Sequence, residues 1–101
     1  MERRKKELAL IQSSLKKLKS ELRKKYYVKS IGIFGSLARG QSERTSDVDI
    51  LVDFTKNIDL FDFIALENYL SQKLDAKIDL VSAKAVRDEF KDNILNEVVY
   101  L

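Results

Sequence analysis

The 101-residue chain has no cysteine and no histidine. Without cysteine it forms neither disulfides nor a thiolate metal site. Without either residue, any metal site must be built from oxygen donors, which points to magnesium or another hard cation. The same absences remove the thiol nucleophile and the imidazole base from the available chemistry. There is no proline, and the lack of it beside abundant lysine and glutamate suits a protein that works at high temperature. No apolar run approaches the roughly 20 residues of a membrane-spanning helix. The opening Met1-Glu2-Arg3-Arg4-Lys5-Lys6-Glu7 is charged and leads into a helical pattern, unlike a targeting segment. A cytoplasmic protein without a membrane partner is expected.

What is present fits one domain spanning residues 1–101, since roughly two-thirds of the unfolded surface can be buried at this length. One sheet layer with helices against it fits that limit, and a second substrate-binding domain does not. The apolar fraction of 45% is ordinary, whereas 35% charged residues is high. The net charge of +3 is unevenly spread. Through Lys25 there are ten basic residues against three acidic ones; from Tyr26 onward, nine basic against thirteen acidic.

Within residues 1–25, Leu8, Ile11, Leu15, Leu18 and Leu22 recur at steps of three and four, one face of an amphipathic helix. The spacing also suits a coiled-coil seam, but it covers barely three heptads, so the face is expected to dock on a sheet. Lysines and arginines spread over the remaining faces read as a solvated surface, and direct nucleic-acid binding is not expected.

A core of residues 28–81 follows. Val28 to Phe34 reads as a strand with Ile31 and Ile33 on one face. Gly35 then permits a tight turn, and Ser36 can cap a short helix to about Gly40. Gln41 to Ser46 is a polar loop. Val48 to Phe54 is the clearest strand: Val48, Ile50, Val52 and Phe54 share one face, with Asp49, Leu51 and Asp53 on the other. Asn57 or Asp59 can cap a helix over Leu60 to Leu74, with Leu60, Phe63, Ile64, Leu70 and Leu74 toward the core. A strand at Lys77 to Val81 follows, then a helix capped by Ser82 and reaching about Phe90. In the tail, Ile94, Leu95 and Val98 suit a helix, while Val98 to Leu101 can equally be extended. Alternating strands and helices indicate an α/β (α+β) fold, a small mixed sheet packed with helices.

The chemistry concentrates in Phe34 to Phe54. A turn without a Cβ lets a phosphate approach the backbone, the helix start offers N–H donors, and Ser36 adds a hydroxyl. Arg39 lies one helical turn on, within reach of the same anion. Alone, such a Gly-Ser turn is most often only a turn. Asp47 and Asp49 project to the same side, and two carboxylates that close raise each other's pKa unless a cation lies between them. A lone Asp-x-Asp also fits a solvent-facing edge, and Asp53, which continues the face, is assigned to solvent. Asp79 shifts the balance because it interrupts the apolar strand Ile78-Asp79-Leu80-Val81. If that strand neighbours the one bearing Asp49, three carboxylates converge beside the Gly-Ser turn, an oxygen site for one or two magnesium ions and a triphosphate.

Gly35-Ser36, ten residues, then Asp47-Val48-Asp49, with Phe34 ahead of the glycine and Asp79 one helix and one strand later, resembles the DNA polymerase β-like nucleotidyltransferase superfamily. The resemblance is closer to the minimal nucleotidyltransferases (MNT), antitoxin halves of HEPN–MNT toxin–antitoxin pairs. It rests on Gly35-Ser36-Leu37-Ala38-Arg39-Gly40, Ser46-Asp47-Val48-Asp49-Ile50-Leu51-Val52 and the tail Val99-Tyr100-Leu101, and covers Ile31 to Leu101. One departure is Asp75-Ala76, where many relatives have glycine. The resemblance implies a minimal nucleotidyltransferase fold and an adenylyltransferase using ATP and two Mg2+ ions. Asp47, Asp49 and Asp79 would be the catalytic and metal-holding residues, and Gly35, Ser36 and Arg39 would bind the nucleotide. It further implies a type VII-like antitoxin that transfers AMP to a tyrosine hydroxyl of a cognate HEPN ribonuclease toxin within a hetero-oligomer. The alternatives are an antitoxin that neutralises by binding alone and an enzyme acting on a small molecule.

Overall fold

A computed structural model describes residues 2–38 and 48–101, with side-chain surroundings from Glu7 onward except at Ser36. Helix α1 (Glu2–Tyr26) carries the leucine stripe expected of it: Ile11, Leu15 and Leu22 are buried, and Leu8 and Leu18 are half-buried against the same core. Each fully buried leucine contributes about 2 kcal/mol of transfer free energy, which is what fixes the helix to the sheet. The helix ends where Tyr27 adopts a left-handed backbone, φ 59°. The Tyr27 carbonyl accepts the Thr55 N–H at 2.8 Å, and the Lys56 ammonium lies 3.7 Å from the Tyr27 ring centroid.

Strand β1 (Val28–Phe34) runs into the short helix α2 (Gly35–Ala38). Strand β2 (Val48–Phe54), helix α3 (Leu60–Leu74) and strand β3 (Ile78–Ser82) follow. A 3₁₀ turn (Ala83–Ala85), helix α4 (Asp88–Glu97) and strand β4 (Val99–Tyr100) complete the chain. The sheet order is β3-β2-β1-β4. β1 is antiparallel to both of its neighbours, and β2 and β3 are parallel. A parallel pair needs a crossover, and α3 supplies it.

The two faces of this mixed sheet differ. Ile31, Ile33, Ile50, Val52, Ile78 and Leu80 are buried on one face with α1 and α3 over them. A bulge between Val28 and Ser30 brings Val28 to that side as well. The other face carries Gly32, Phe34, Asp49, Leu51, Asp53 and Asp79, as the strand alternation and the register require. Among the described residues α4 and the 3₁₀ turn before it cover this face, where a cleft is lined by Leu51, Ala83, Val86, Lys91, Ile94 and Leu95.

Several expectations are corrected. Asp59, and not Asn57, caps α3, its Oδ1 accepting the Asp62 N–H at 2.8 Å. The buried stripe of α3 is Leu66 and Leu70, with Phe63 and Leu74 half-buried. Leu60 is 68% exposed and Ile64 42% exposed, so neither is a core residue. Once Phe63 seats against Phe54, with ring centroids 6.3 Å apart, the steps 63-66-70-74 face inward. Leu60 and Ile64 then fall on the flank. Asp75 ends α3 in the left-handed region, φ 49°. It takes there a conformation that glycine adopts at no steric cost, which accounts for the tolerated Asp75-Ala76 departure.

Ser82 makes no capping bond, and the helix expected from it to Phe90 is instead a 3₁₀ turn followed by α4. The break comes at Val86 and Arg87, both extended. Asp88 and Glu89 then place negative charge in the first turn of α4, where the helix dipole favours it. The tail takes both of its open conformations in turn, helical to Glu97 and extended at Val99–Tyr100. The Leu101 N–H donates to the Ile31 carbonyl at 3.1 Å. Gly32 makes room for this crossing: a Cβ there would lie 2.6 Å from Val98 Cγ2 and 3.1 Å from the Val99 carbonyl oxygen.

Candidate active site

β1 finishes at the same end of the sheet at which β2 and β3 begin. The Val48 N–H donates to the Lys77 carbonyl at 2.9 Å, joining the entrances of β2 and β3. The register then sets Asp49 directly opposite Asp79. Paired positions on parallel strands project to the same side, and the strands are about 4.8 Å apart. Asp79, the residue that breaks the apolar pattern of its strand, is therefore beside Asp49 as anticipated. Asp49 is half-buried and Asp79 exposed, so the pair has an inner and an outer member.

The glycine turn adjoins the same pair. Phe34 is opposite Asp49 across the antiparallel ladder. The next residue, Gly35, has φ +73°, a backbone that disfavours any Cβ. A Cβ on Gly35 would collide with Oδ2 of Asp49 and lie 2.9 Å from its Cγ. The carboxylate thus packs against the bare backbone of the turn. Glycine is required here on two separate grounds, conformation and space.

Of the six residues expected to form the site, the structure brings together Gly35, Asp49 and Asp79. The backbone of Ser36 lies in α2, while its side chain, Arg39 and Asp47 are outside the described residues, as are Gly40 and the loop 41–46. Among the described residues, no three metal-holding side chains are grouped; two of the expected carboxylates are present as a pair. The donors nevertheless suit a hard cation, because two carboxylates held side by side repel each other and the chain has only oxygen ligands to offer. Asp53, assigned to solvent, is half-buried, and its Oδ1 accepts the Phe54 N–H at 3.0 Å. It closes the far end of the strand and stands about 13 Å along β2 from Asp49.

A second polar group lies in another layer. Tyr69 on α3 donates to Oε2 of Glu21 on α1, and Lys25 pairs with Glu21 Oε1 at 3.0 Å. Desolvation first, and then the bond to Glu21, push the Tyr69 phenol up to about 12. The hydrogen bond from Tyr69 is the main reason that the Glu21 carboxyl is lowered. With the Tyr26 ring 5.0 Å away, this group clamps α1 to α3 on the face opposite the carboxylates. Leu51 and α4, on the carboxylate face, carry no motif in the sequence. An apolar residue between two aspartates on the site's own face was the available signal.

Residues 16–101 match the family described as polymerase beta, nucleotidyltransferase. Over 97 residues the chain is 44% identical to a candidate protein adenylyltransferase of Methanocaldococcus jannaschii, covering 95% of this chain and 99% of that one. It is 44% identical over 91 residues to protein adenylyltransferase MntA of Thermococcus cleftensis, covering 90% and 92% respectively. Among solved structures, a candidate minimal nucleotidyltransferase superposes with a TM-score of 0.80 at 28% identity, covering 93% of this chain and 95% of that one. A toxin–antitoxin structure with AMP-PNP superposes with a TM-score of 0.71 at 26% identity, covering 87% and 69%.

Proposed function

The chain belongs to the polymerase β nucleotidyltransferase family and is thus a nucleotidyltransferase, and we propose that it is an antitoxin that transfers AMP from ATP to a tyrosine hydroxyl of a HEPN ribonuclease. The observation that carries this reading is the Asp49–Asp79 pair set against the Gly35 turn. A phosphate grip and an acidic pair on one sheet face are the parts a phosphoryl-group transfer requires. The adenylyltransferase relatives and the toxin–antitoxin neighbour support the choice of a protein acceptor.

In this reading Gly35 and Ser36 bind the β- and γ-phosphates, with Arg39 supporting the triphosphate. Asp47, Asp49 and Asp79 would hold magnesium, which when bound supplies charge neutralisation for the triphosphate and the departing pyrophosphate. The tyrosine oxygen forms a bond to the α-phosphorus as the bond from that atom to its bridging oxygen breaks. Pyrophosphate leaves, and the phenolic proton passes to solvent. The chain's contribution is to hold the triphosphate in line with an acceptor arriving on the Asp79 side, and positioning of this kind supplies most of the acceleration. No histidine is needed as a base.

The test is to mix the chain with the product of the neighbouring open reading frame, ATP and Mg2+, and to weigh that protein by mass spectrometry. A gain of one or more AMP units is expected, lost with Asp49→Ala or Asp47→Ala. If the partner is neutralised without any gain in mass, and those variants still neutralise it, the chain acts by binding alone.

A further inference from the structure

Across the carboxylate face the register sets side chains in rows. One row runs Phe34, Asp49, Asp79, and the row behind it Gly32, Leu51, Val81. A further row lies in front, at the end of the sheet where the Gly35 turn stands, and its member on the β3 side is Lys77. The Val48 N–H donates to the Lys77 carbonyl at 2.9 Å, so the parallel ladder already includes this residue. Ile78 is buried on the α1 and α3 side. Alternation then turns its neighbours, Lys77 and Asp79, onto the carboxylate face.

The other described cations around this face are engaged or remote. Lys91 pairs with Asp88 at 3.2 Å and Arg87 with Glu89 at 3.5 Å. Lys56 and Lys84 belong to the far end of β2 and β3, where they line a separate hollow with Phe54 and Ser82. Lys77 is exposed and makes no ion pair with a described residue. Its side chain is longer than that of Asp79, two residues on, so its ammonium reaches past the carboxylates toward what they hold. β3 is an edge strand, and an edge lysine also discourages pairing with another sheet. That role asks for a charge anywhere along the strand, whereas the transfer reaction asks for one at this end.

In an in-line displacement the attacking and leaving oxygens stand on opposite sides of the phosphorus. With the β- and γ-phosphates at Gly35, pyrophosphate leaves on the β1 side and the attacking oxygen stands on the β3 side, beside Asp79 and Lys77. Resting on the proposed function, we propose that Lys77 is a further catalytic residue, its ammonium holding the acceptor's phenolic oxygen as that oxygen bonds to the α-phosphorus. The phenolic proton passes to solvent while the bond from phosphorus to its bridging oxygen breaks. Negative charge thus passes through the attacking oxygen next to carboxylates that repel it, and a fixed cation at that point offsets the repulsion.

The experiment measures AMP transfer to the product of the neighbouring open reading frame by the full-length parent, Lys77→Gln, Lys77→Arg and Lys84→Gln. Lys77→Gln should lower kcat about tenfold to a hundredfold, as loss of a charge-stabilising donor does at an exposed position. Its KM for ATP and its Tm should match the parent's. Lys77→Arg, which keeps the charge, should recover most of the rate, and Lys84→Gln should behave as the parent does. A second readout needs no turnover: acetylation of the parent's lysines, read by mass spectrometry. Lys77 should be labelled with Mg2+ and α,β-methylene-ATP, whose α–β linkage resists transfer, and protected once the acceptor protein is added. Lys84 should be labelled in both. Parent-like kcat in Lys77→Gln, equal losses in Lys77→Gln and Lys77→Arg, a loss seen only as a raised KM for ATP, or an unprotected Lys77 each overturns the assignment and leaves AMP transfer standing. A parent chain that modifies no protein overturns the proposed function and this assignment with it.

Discussion

Replacing Gly35 by alanine tests the junction between the turn and the carboxylates more directly than any other change. Two costs are separable in the structure. At φ +73° an L-residue meets its own carbonyl, at about 1–2 kcal/mol. The new methyl group would also overlap Oδ2 of Asp49 and lie 2.9 Å from its Cγ, so the carboxylate must turn away or the strand end must shift. Together these destabilise the chain by roughly 2–3 kcal/mol, a fall in Tm of about 10–20 °C for a domain of this size. The effect on AMP transfer should be larger than stability alone explains, because displacing a reacting geometry by about 1 Å costs on the order of 100-fold in rate. Tm by calorimetry and AMP transfer well below Tm, both beside Leu70→Ala, separate the two effects. Leu70→Ala should lower Tm without slowing transfer at low temperature. Gly35→Ala with parent-like Tm and rate would refute the argument that Asp49 is packed against this turn.

Leu70 is fully buried, and its truncation to alanine should cost about 2–5 kcal/mol through lost burial and the cavity left behind, read as a lower urea midpoint. Asp79→Asn removes one of two facing carboxylates. It should leave the metal-free Tm close to the parent's, as substitutions at exposed positions usually do. It should also reduce the added stability that Mg2+ gives the parent chain; an unchanged response to Mg2+ would remove Asp79 from the metal-holding set. Tyr69→Phe should cost about 0.5–1.5 kcal/mol by deleting the bond to Glu21. Since the Tyr69 phenol is held up at about 12, the folded state keeps a proton that the unfolded chain loses near 10. Stability from this group is therefore complete below about pH 10 and declines as pH rises toward 12. Urea midpoints from pH 9 to 12 should fall less steeply in Tyr69→Phe than in the parent.

Much of the candidate site was legible because its residues break local patterns. Gly35-Ser36 stops an apolar strand, and Asp79 sits where an apolar residue belongs. Neither irregularity depends on knowing the fold. The α1 stripe was legible for a similar reason, since five apolar residues share one face with lysines between them. The phase of α3 was not, because Leu60, Phe63, Ile64, Leu66 and Leu70 offer more than one inward stripe. Which one turns inward depends on Phe63 meeting Phe54, a contact between residues of different elements. The helix expected from Ser82 failed for a related reason. Capping propensity identifies residues able to begin a helix, and the first turn of α4 found a better start at Asp88.

By itself, the sequence determined the nature and order of the elements as far as β3, the oxygen-only ligand set and the spacing that carries the family resemblance. These rest on side-chain chemistry and on periodicities of a few residues, which are local properties. Only the tertiary structure decided that β3 lies beside β2 in the register pairing Asp79 with Asp49. It also decided that Asp49 closes on Gly35 and that α4 covers the carboxylate face while α1 and α3 cover the other. Such choices join residues 14 to 30 positions apart, where chain direction, crossover and packing act together and no local pattern is decisive.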